Sequence, residues 1–274
     1  MMRGLIFDIK EFSLNDGKGI RTTIFMKGCP LSCVWCHNPE GLSGKRELYV
    51  KKGSCTGCGL CLKPCGHEDC KPFGRCLHIC PRDLVSVAGE EWEAEDLAKR
   101  LLSQADFLSS VGGGVTFSGG EPLLQHGFVG EVLSMLEGRL HRAVETSGYA
   151  DGEIFERIIS RCDFVYMDLK LLDGEKHKKL CGVDNEKILK NAEMLKRSGV
   201  EYVFRVPLVP GVTDTEENQR AIAEFVGDSP VELLPYNRLA PAKYENTGRK
   251  FTDLIDGERP VTPMPHLFKN ARVR

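Results

Sequence analysis

Three cysteines stand at C-x3-C-x2-C spacing in the segment Gly28-Cys29-Pro30-Leu31-Ser32-Cys33-Val34-Trp35-Cys36-His37-Asn38-Pro39-Glu40. Thiolates this close together are soft donors suited to a soft metal. A closed four-iron, four-sulfur cube needs four ligands, so three local thiolates leave one iron free to bind something else. An open coordination position is what separates catalytic from structural metal centres. The competing reading is a zinc knuckle with His37 as fourth ligand. His37 abuts Cys36, which is awkward geometry for one tetrahedral ion.

A second group, Cys55, Cys58, Cys61, Cys65, Cys70, Cys76 and Cys80, follows closely. Cys55-x2-Cys58-x2-Cys61-x3-Cys65 has bacterial ferredoxin spacing, in which the fourth cysteine ligates the other cluster. The run from Cys70 through Cys76 to Cys80-Pro81 repeats that spacing, except that Phe73 occupies the second cysteine position. Crossed ligation assigns Cys55, Cys58, Cys61 and Cys80 to one auxiliary four-iron cluster. It leaves Cys65, Cys70 and Cys76 for a second site. That site holds a three-iron cluster, recruits His67, His78 or Asp69, or is empty. Zinc-bound cysteines in a structural insert are the alternative. Cys162 and Cys181 stand alone and are expected as buried, inert thiols at helix ends.

These groups need a scaffold. The chain has 274 residues, 37 Lys and Arg against 39 Asp and Glu, and a formal net charge of −2. That balance argues against a dedicated nucleic-acid binder. No apolar run approaches the length needed to cross a bilayer, and the N-terminus lacks a secretory signal. The expectation is a cytoplasmic protein whose cysteines bind metal and do not form disulfides.

Short β-branched or aromatic runs predict strands near Arg21–Met26, Gly114–Phe117, Arg142–Thr146, Phe164–Leu169, Glu201–Val206 and Val231–Leu234. Helical patterns over Glu93–Ser110 and Pro122–Glu137 follow. Asp151 is placed to cap Ile154–Cys162, and Asp184 to start a helix that ends at Gly199. Thr213 and Glu216 have capping-box spacing for a helix through Phe225. Six alternating units predict an α/β fold with a parallel sheet, a partial (β/α)6 TIM-like barrel. Residues 1–46 start this barrel and residues 88–274 complete it, ending in an irregular cover from about Gly248. Residues 47–87 form a small inserted ferredoxin-like iron–sulfur domain that a metal must organise.

The cysteine trio follows the first predicted strand, where α/β proteins bind ligands. Ser118-Gly119-Gly120-Glu121-Pro122 lies between a strand and a helix. Its glycines permit close backbone approach, and Glu121 can accept hydrogen bonds from a ligand ammonium or cap the helix. Gly112-Gly113-Gly114 lacks the lysine of a phosphate loop. Lys170 reads as a site cation or a solvated strand-end charge. Arg205 reads as a ligand-pairing cation or half of a structural ion pair.

Taken in order, these motifs resemble the radical S-adenosylmethionine (SAM) enzymes, and among them the activating enzymes of glycyl radical enzymes. The resemblance rests on Asp16-Gly17-Lys18-Gly19-Ile20-Arg21, GCPLSCVWCHNPE, Thr116 to Pro122, Glu145-Thr146-Ser147-Gly148-Tyr149, Asp168-Leu169-Lys170, Arg205 to Gly211, and Leu234-Pro235-Tyr236-Asn237. It covers nearly the whole chain. It implies that Cys29, Cys33 and Cys36 hold a catalytic [4Fe-4S] cluster with an open iron that SAM chelates. Trp35, Cys36, His37, Gly119, Gly120, Glu121, Glu145, Thr146, Asp168, Leu169, Lys170, Arg205 and Asn237 are implied around the cofactor. The turn Ser118-Gly119-Gly120-Glu121-Pro122 is implied to hold the SAM amino group. Relatives commonly have Asp where Glu145 stands, beside a monovalent cation, and several carry His where Asn237 stands. The implied reaction is reductive cleavage of SAM to a 5′-deoxyadenosyl radical that takes hydrogen from a backbone glycine of a partner glycyl radical enzyme. A flavodoxin or ferredoxin is the implied electron donor. Two other readings are a radical SAM enzyme acting on a small molecule or peptide, and a ferredoxin-like electron carrier.

Overall fold

The computed structural model describes residues 2–274. The eleven strands are β1 (Arg3–Ser13), β2 (Arg21–Met26), β3 (Glu47–Val50), β4 (Val85–Ala88), β5 (Glu90–Glu93), β6 (Gly114–Gly119), β7 (His141–Thr146), β8 (Phe164–Asp168), β9 (Glu201–Pro207), β10 (Val231–Leu234) and β11 (Ala271–Val273). Nine of them form one sheet in the order β11-β10-β9-β8-β7-β6-β2-β1-β5. The six central strands, β2 and β6 to β10, are those expected from sequence, and all neighbouring pairs among them are parallel. The fold is α/β with a partial TIM-like barrel.

Three additions extend this core. β1 pairs antiparallel with β2 on one side and β5 on the other. β11 adds in parallel to β10, so the C-terminal segment ends in a strand where an irregular cover was expected.

Helices α1 (Ala94–Leu102), α2 (Ala105–Ser110), α3 (His126–Met135), α4 (Gly152–Ile159), α5 (Gly174–Cys181), α6 (Glu186–Arg197), α7 (Glu216–Val226) and α8 (Ala240–Asn246) complete the chain. The single helix expected over Glu93–Ser110 is broken between α1 and α2, and the one expected from Pro122 opens with a 3-10 turn before α3. Asp151 stands at the α4 N-cap position but makes no capping bond. Its carboxylate pairs with Lys187 at 2.7 Å instead. Thr215, not Thr213, caps α7 by accepting the Asn218 N–H at 3.3 Å. Thr213 is buried and accepts the Val209 N–H at 2.6 Å.

Alternation along the strands decides what faces where. Val115 and Phe117, Val144, Val165 and Met167, Phe204 and Val206, and Leu233 turn to the helices and form the main core. Their neighbours Thr116, Ser118, Glu145, Asp168, Arg205 and Glu232 share the opposite, inner face. That face is mostly polar, with Ala143, Tyr166 and Val203 as a small apolar patch.

The insert rises on a two-stranded stem, β3 paired antiparallel with β4. Between them the chain makes three short 3-10 turns, at Lys52–Ser54, Leu60–Leu62 and Glu68–Phe73. Its own apolar cluster is small: Val50, Cys61 and Val85, with Leu48, Leu77 and Cys80 against them. Glu47 fastens the stem to the barrel through Lys27 at 2.8 Å and Arg249 at 2.6 Å. No helix of the described residues is long and apolar enough to cross a membrane.

Candidate active site

The cysteine loop leaves the C-terminal end of β2. Gly28 takes φ +98°, and its N–H bonds to Gly41 O at 2.8 Å. The loop then rests on the end of α5, where Ser32 N donates to Cys181 O at 2.8 Å and Val34 N to Leu180 O at 3.0 Å. Gly182, at φ +86°, closes α5 in the left-handed region, and a Cβ there would overlap Ser32 Oγ. A turn with Cys36 N on Cys33 O at 3.0 Å sets the last two thiols. Leu31, Trp35, Leu171, Val209 and Ile255 wall the loop with apolar surface.

Burial pushes the Cys29 and Cys36 thiols up, Cys36 to about 12. Cys33 is raised too, first by a hydrogen bond with Cys181 and then by burial. Cys181 is fully buried, as expected from its lone position, but its contact with Cys33 was not legible in the sequence.

The donor set fits an iron–sulfur cluster with three protein ligands: three soft sulfur donors on one loop in an apolar chamber. Among the described residues, the two groups of three or more donor atoms that close to within 4.8 Å both lie in the insert. The thiols of the loop are spread more widely, as separate irons require and a single tetrahedral ion does not.

The turn after β6 comes against this loop. Gly120 N donates to Met26 O at 2.7 Å and Glu121 N to Gly28 O at 2.8 Å. A Cβ on Gly120 would overlap the carbonyls of Gly28 and Gly41, so the close approach of two backbones requires glycine here. Glu121 is buried and its two oxygens are taken by chain donors. Oε1 accepts Thr146 Oγ1 at 2.5 Å and Leu123 N at 3.2 Å. Oε2 accepts Ser147 N at 2.8 Å and Ser147 Oγ at 2.5 Å. Burial raises its pKa against the pull of these bonds.

Polar strand ends line the inner face. Asp168 and Lys170 pair at 2.7 Å. Burial opposes the Lys170 charge, but Asp168 and the Cys33 thiol outweigh it and hold its pKa above the ordinary value. Leu169 is buried beneath them. Arg205 bonds Glu145 on one side and Glu232 at 3.0 Å on the other, and its guanidinium lies 3.8 Å over the Tyr166 ring. Glu145 also accepts Ser118 Oγ at 2.6 Å. Burial pushes the Glu145 carboxyl up while Arg205 pulls it down, and burial prevails. Glu232 escaped the sequence reading, although a lone acid inside Val231–Leu234 is the signal that marks it.

A cavity of about 700 Å³ opens beside these groups. His37, Ser118, Glu145 and Asn237 border it, together with Asp16 and Glu40. Burial lowers the His37 pKa below its ordinary value. Lys243 reaches Asn38 Oδ1 and Glu40 Oε1, each at 3.0 Å, while Glu40 Oε2 is buried without a hydrogen-bond partner. The insert stem supplies a further wall through Tyr49 and Ser86 to Ala88. The Asp16–Arg21 motif has a structural part as well. Arg21 is buried at the opposite end of the strands, with Nε on Thr116 Oγ1 at 2.6 Å, and Gly19 at φ +70° lies against Gly112.

In the insert, the donor atoms of Cys65, His67, Cys70 and Cys76 lie within 4.8 Å of one another. Cys76 N bonds to Cys61 O at 2.8 Å, joining the two cysteine runs.

With this geometry, the radical SAM superfamily model matches residues 23–219. The chain belongs to the radical SAM superfamily. It is 36% identical to the 4-hydroxyphenylacetate decarboxylase activating enzyme of Clostridium scatologenes, over 97% of this chain and 93% of that one. It is also 36% identical to the isethionate sulfite-lyase activating enzyme of Oleidesulfovibrio alaskensis, over 88% of this chain and 86% of that one. The crystal structure of a radical SAM methyltransferase from Sphaerobacter thermophilus aligns with a TM-score of 0.54 at 13% identity, over 93% of this chain and 66% of that one. This last likeness concerns the fold alone.

Proposed function

We propose that this chain activates a glycyl radical enzyme, with SAM as the source of the radical. The observation that carries this reading is the 36% identity to an activating enzyme across 97% of the chain. Cys29, Cys33 and Cys36 would hold a [4Fe-4S] cluster. Once reduced there, it would pass one electron to SAM and break the sulfonium carbon–sulfur bond, giving methionine and a 5′-deoxyadenosyl radical that would take a hydrogen atom from a backbone glycine of the partner.

The chain's own residues bind, orient and exclude water. Leu31, Trp35, Leu171 and Val209 keep the cysteine loop dry. The Gly119–Gly120 backbone receives the SAM amino group. Glu121, held by Thr146, Ser147 and Leu123, positions that turn. Asp168 and Lys170 set the charge beside Cys33, with Leu169 packed beneath. Arg205 positions Glu145, which borders the adenosyl side of the cavity with His37 and Asn237. The insert, residues 47–87, carries Cys55, Cys58, Cys61 and Cys80 as the ligand set for one auxiliary four-iron cluster. Residues 1–46 and 88–274 form the barrel. A flavodoxin or ferredoxin is the electron donor. A cytoplasmic location, where thiols stay reduced and available to metals, goes with this reading.

The test is anaerobic incubation of the reconstituted chain with SAM, reductant and the glycyl radical enzyme encoded beside its gene. A glycine-centred EPR signal is the expected result. Formation of 5′-deoxyadenosine without that signal, with every such partner, favours a small-molecule or peptide substrate. If no 5′-deoxyadenosine forms and SAM leaves the reduced cluster's spectrum unchanged, the chain is an electron carrier.

A further inference from the structure

We propose that Cys65, His67, Cys70 and Cys76 form a mononuclear Cys3His zinc site within the insert. This goes beyond the activating reading and does not rest on it. The four donor atoms lie within 4.8 Å of one another, and His67 Nδ1 is 3.7 Å from Cys76 Sγ. One zinc ion, with bonds of about 2.3 Å to sulfur and about 2.0 Å to nitrogen, draws four donors into such a tetrahedron. A four-iron cube distributes its thiolates over separate irons and holds them further apart.

Local structure presents the four donors together. His67 opens the turn Glu68–Phe73, with Cys70 N on His67 O at 3.3 Å. Gly74, at φ +60°, then reverses the chain and returns Cys76. Leu77 N donates to Cys70 Sγ at 3.3 Å, a bond suited to a thiolate. Cys70 and Cys76 are buried, and Cys65 and His67 close the outer side. Phe73, where a ferredoxin run would place a cysteine, instead carries Arg46 over its ring at 5.9 Å, against the stem. His67 therefore supplies the fourth donor that Phe73 cannot, and three sulfurs with one imidazole form a structural zinc set. Asp69, Cys70 and His78 also lie within 4.8 Å, but that trio offers one sulfur, and Asp69 already bonds His78 at 2.8 Å. An insert whose apolar cluster is only Val50, Cys61 and Val85 gains its order from such an ion.

The experiment is elemental analysis and zinc-edge X-ray absorption of the full chain, prepared anaerobically with iron, sulfide and zinc all supplied. The expected result is about one zinc per chain with three sulfurs at about 2.3 Å and one nitrogen at about 2.0 Å. Cys76→Ser should lower zinc affinity by at least about tenfold in chelator competition. His67→Cys, which preserves a full donor set, should keep zinc and change its shell to four sulfurs. Zinc well below one per chain, a shell with one sulfur, or a shell unchanged in His67→Cys overturns the proposal.

Discussion

The buried carboxylate of Glu121 accepts the backbone N–H of Ser147 at 2.8 Å, which ties the turn after β6 to the end of β7. The same side chain accepts Leu123 N at 3.2 Å. Both of its oxygens thus hold backbone donors, and the glycine turn beside the cysteine loop cannot move independently of β7.

Replacing Glu121 by Gln turns an amide NH2 toward one of these N–H donors. Glu121→Gln should lose about 1–3 kcal/mol of stability, because a buried donor is left without an acceptor. Urea denaturation of the cluster-free protein measures this. A variant as stable as the parent chain would remove Glu121 from its positioning role.

Arg205 joins two carboxylates from strands on either side of β8 and β9, Glu145 and Glu232. Arg205→Ala leaves buried Glu145 without its cation, although Arg272 still pairs with Glu232. The expected cost is about 3–5 kcal/mol, the usual penalty for stranding one member of a buried pair. Arg205→Lys should recover only part of it, since an ammonium lacks the planar fork that reaches both partners. Thermal denaturation of the parent chain and both variants decides the point; an Arg205→Lys chain that melts with the parent would mean that the fork is irrelevant.

Cys33 and Cys181 touch, yet the expected outcomes of their removal differ. Cys33→Ala should abolish the SAM-dependent change in the EPR spectrum and the formation of 5′-deoxyadenosine. Cys181→Ala should leave the iron content and both signals in place, because Cys181 packs behind the loop as a neighbour of Cys33. Loss of iron in Cys181→Ala would instead make that thiol a ligand.

Asp163 gives a pH signature away from the site. Burial raises its pKa, but the Arg142 side chain at 3.1 Å and backbone N–H at 2.7 Å outweigh this and hold it below the ordinary value. A carboxyl depressed on folding contributes stability that is full above the unfolded pKa, about 3.9, and is lost as pH falls through the folded one. The stability difference between the parent chain and Asp163→Asn should therefore be constant at neutral pH and shrink below about pH 4. Denaturant midpoints across that range supply the check, and a difference that grows on acidification would contradict the assignment.

The cysteine spacing and the six parallel strands were legible in the sequence because both are written locally. Cys29, Cys33 and Cys36 lie on one loop whatever surrounds it, and β-branched runs such as Val203-Phe204-Arg205-Val206 mark buried strands by residue type. The gap at Phe73 was equally plain. β11 was not, because three residues leave no period, and β1 was not, because a strand of mixed apolar and charged residues lacks the continuous apolar run of a strand buried on both faces.

Which distant groups meet was decided only in three dimensions. The register that sets Asp168 opposite Arg205, and Arg205 opposite Glu232, turned a cation that the sequence left between two roles into the centre of a buried ion-pair network. Packing of α5 under the cysteine loop brought Cys181 to Cys33, and the fold of one short turn brought His67 to Cys76. Such meetings depend on strand register and on close packing between segments far apart in the chain, and neither leaves a repeating mark along it.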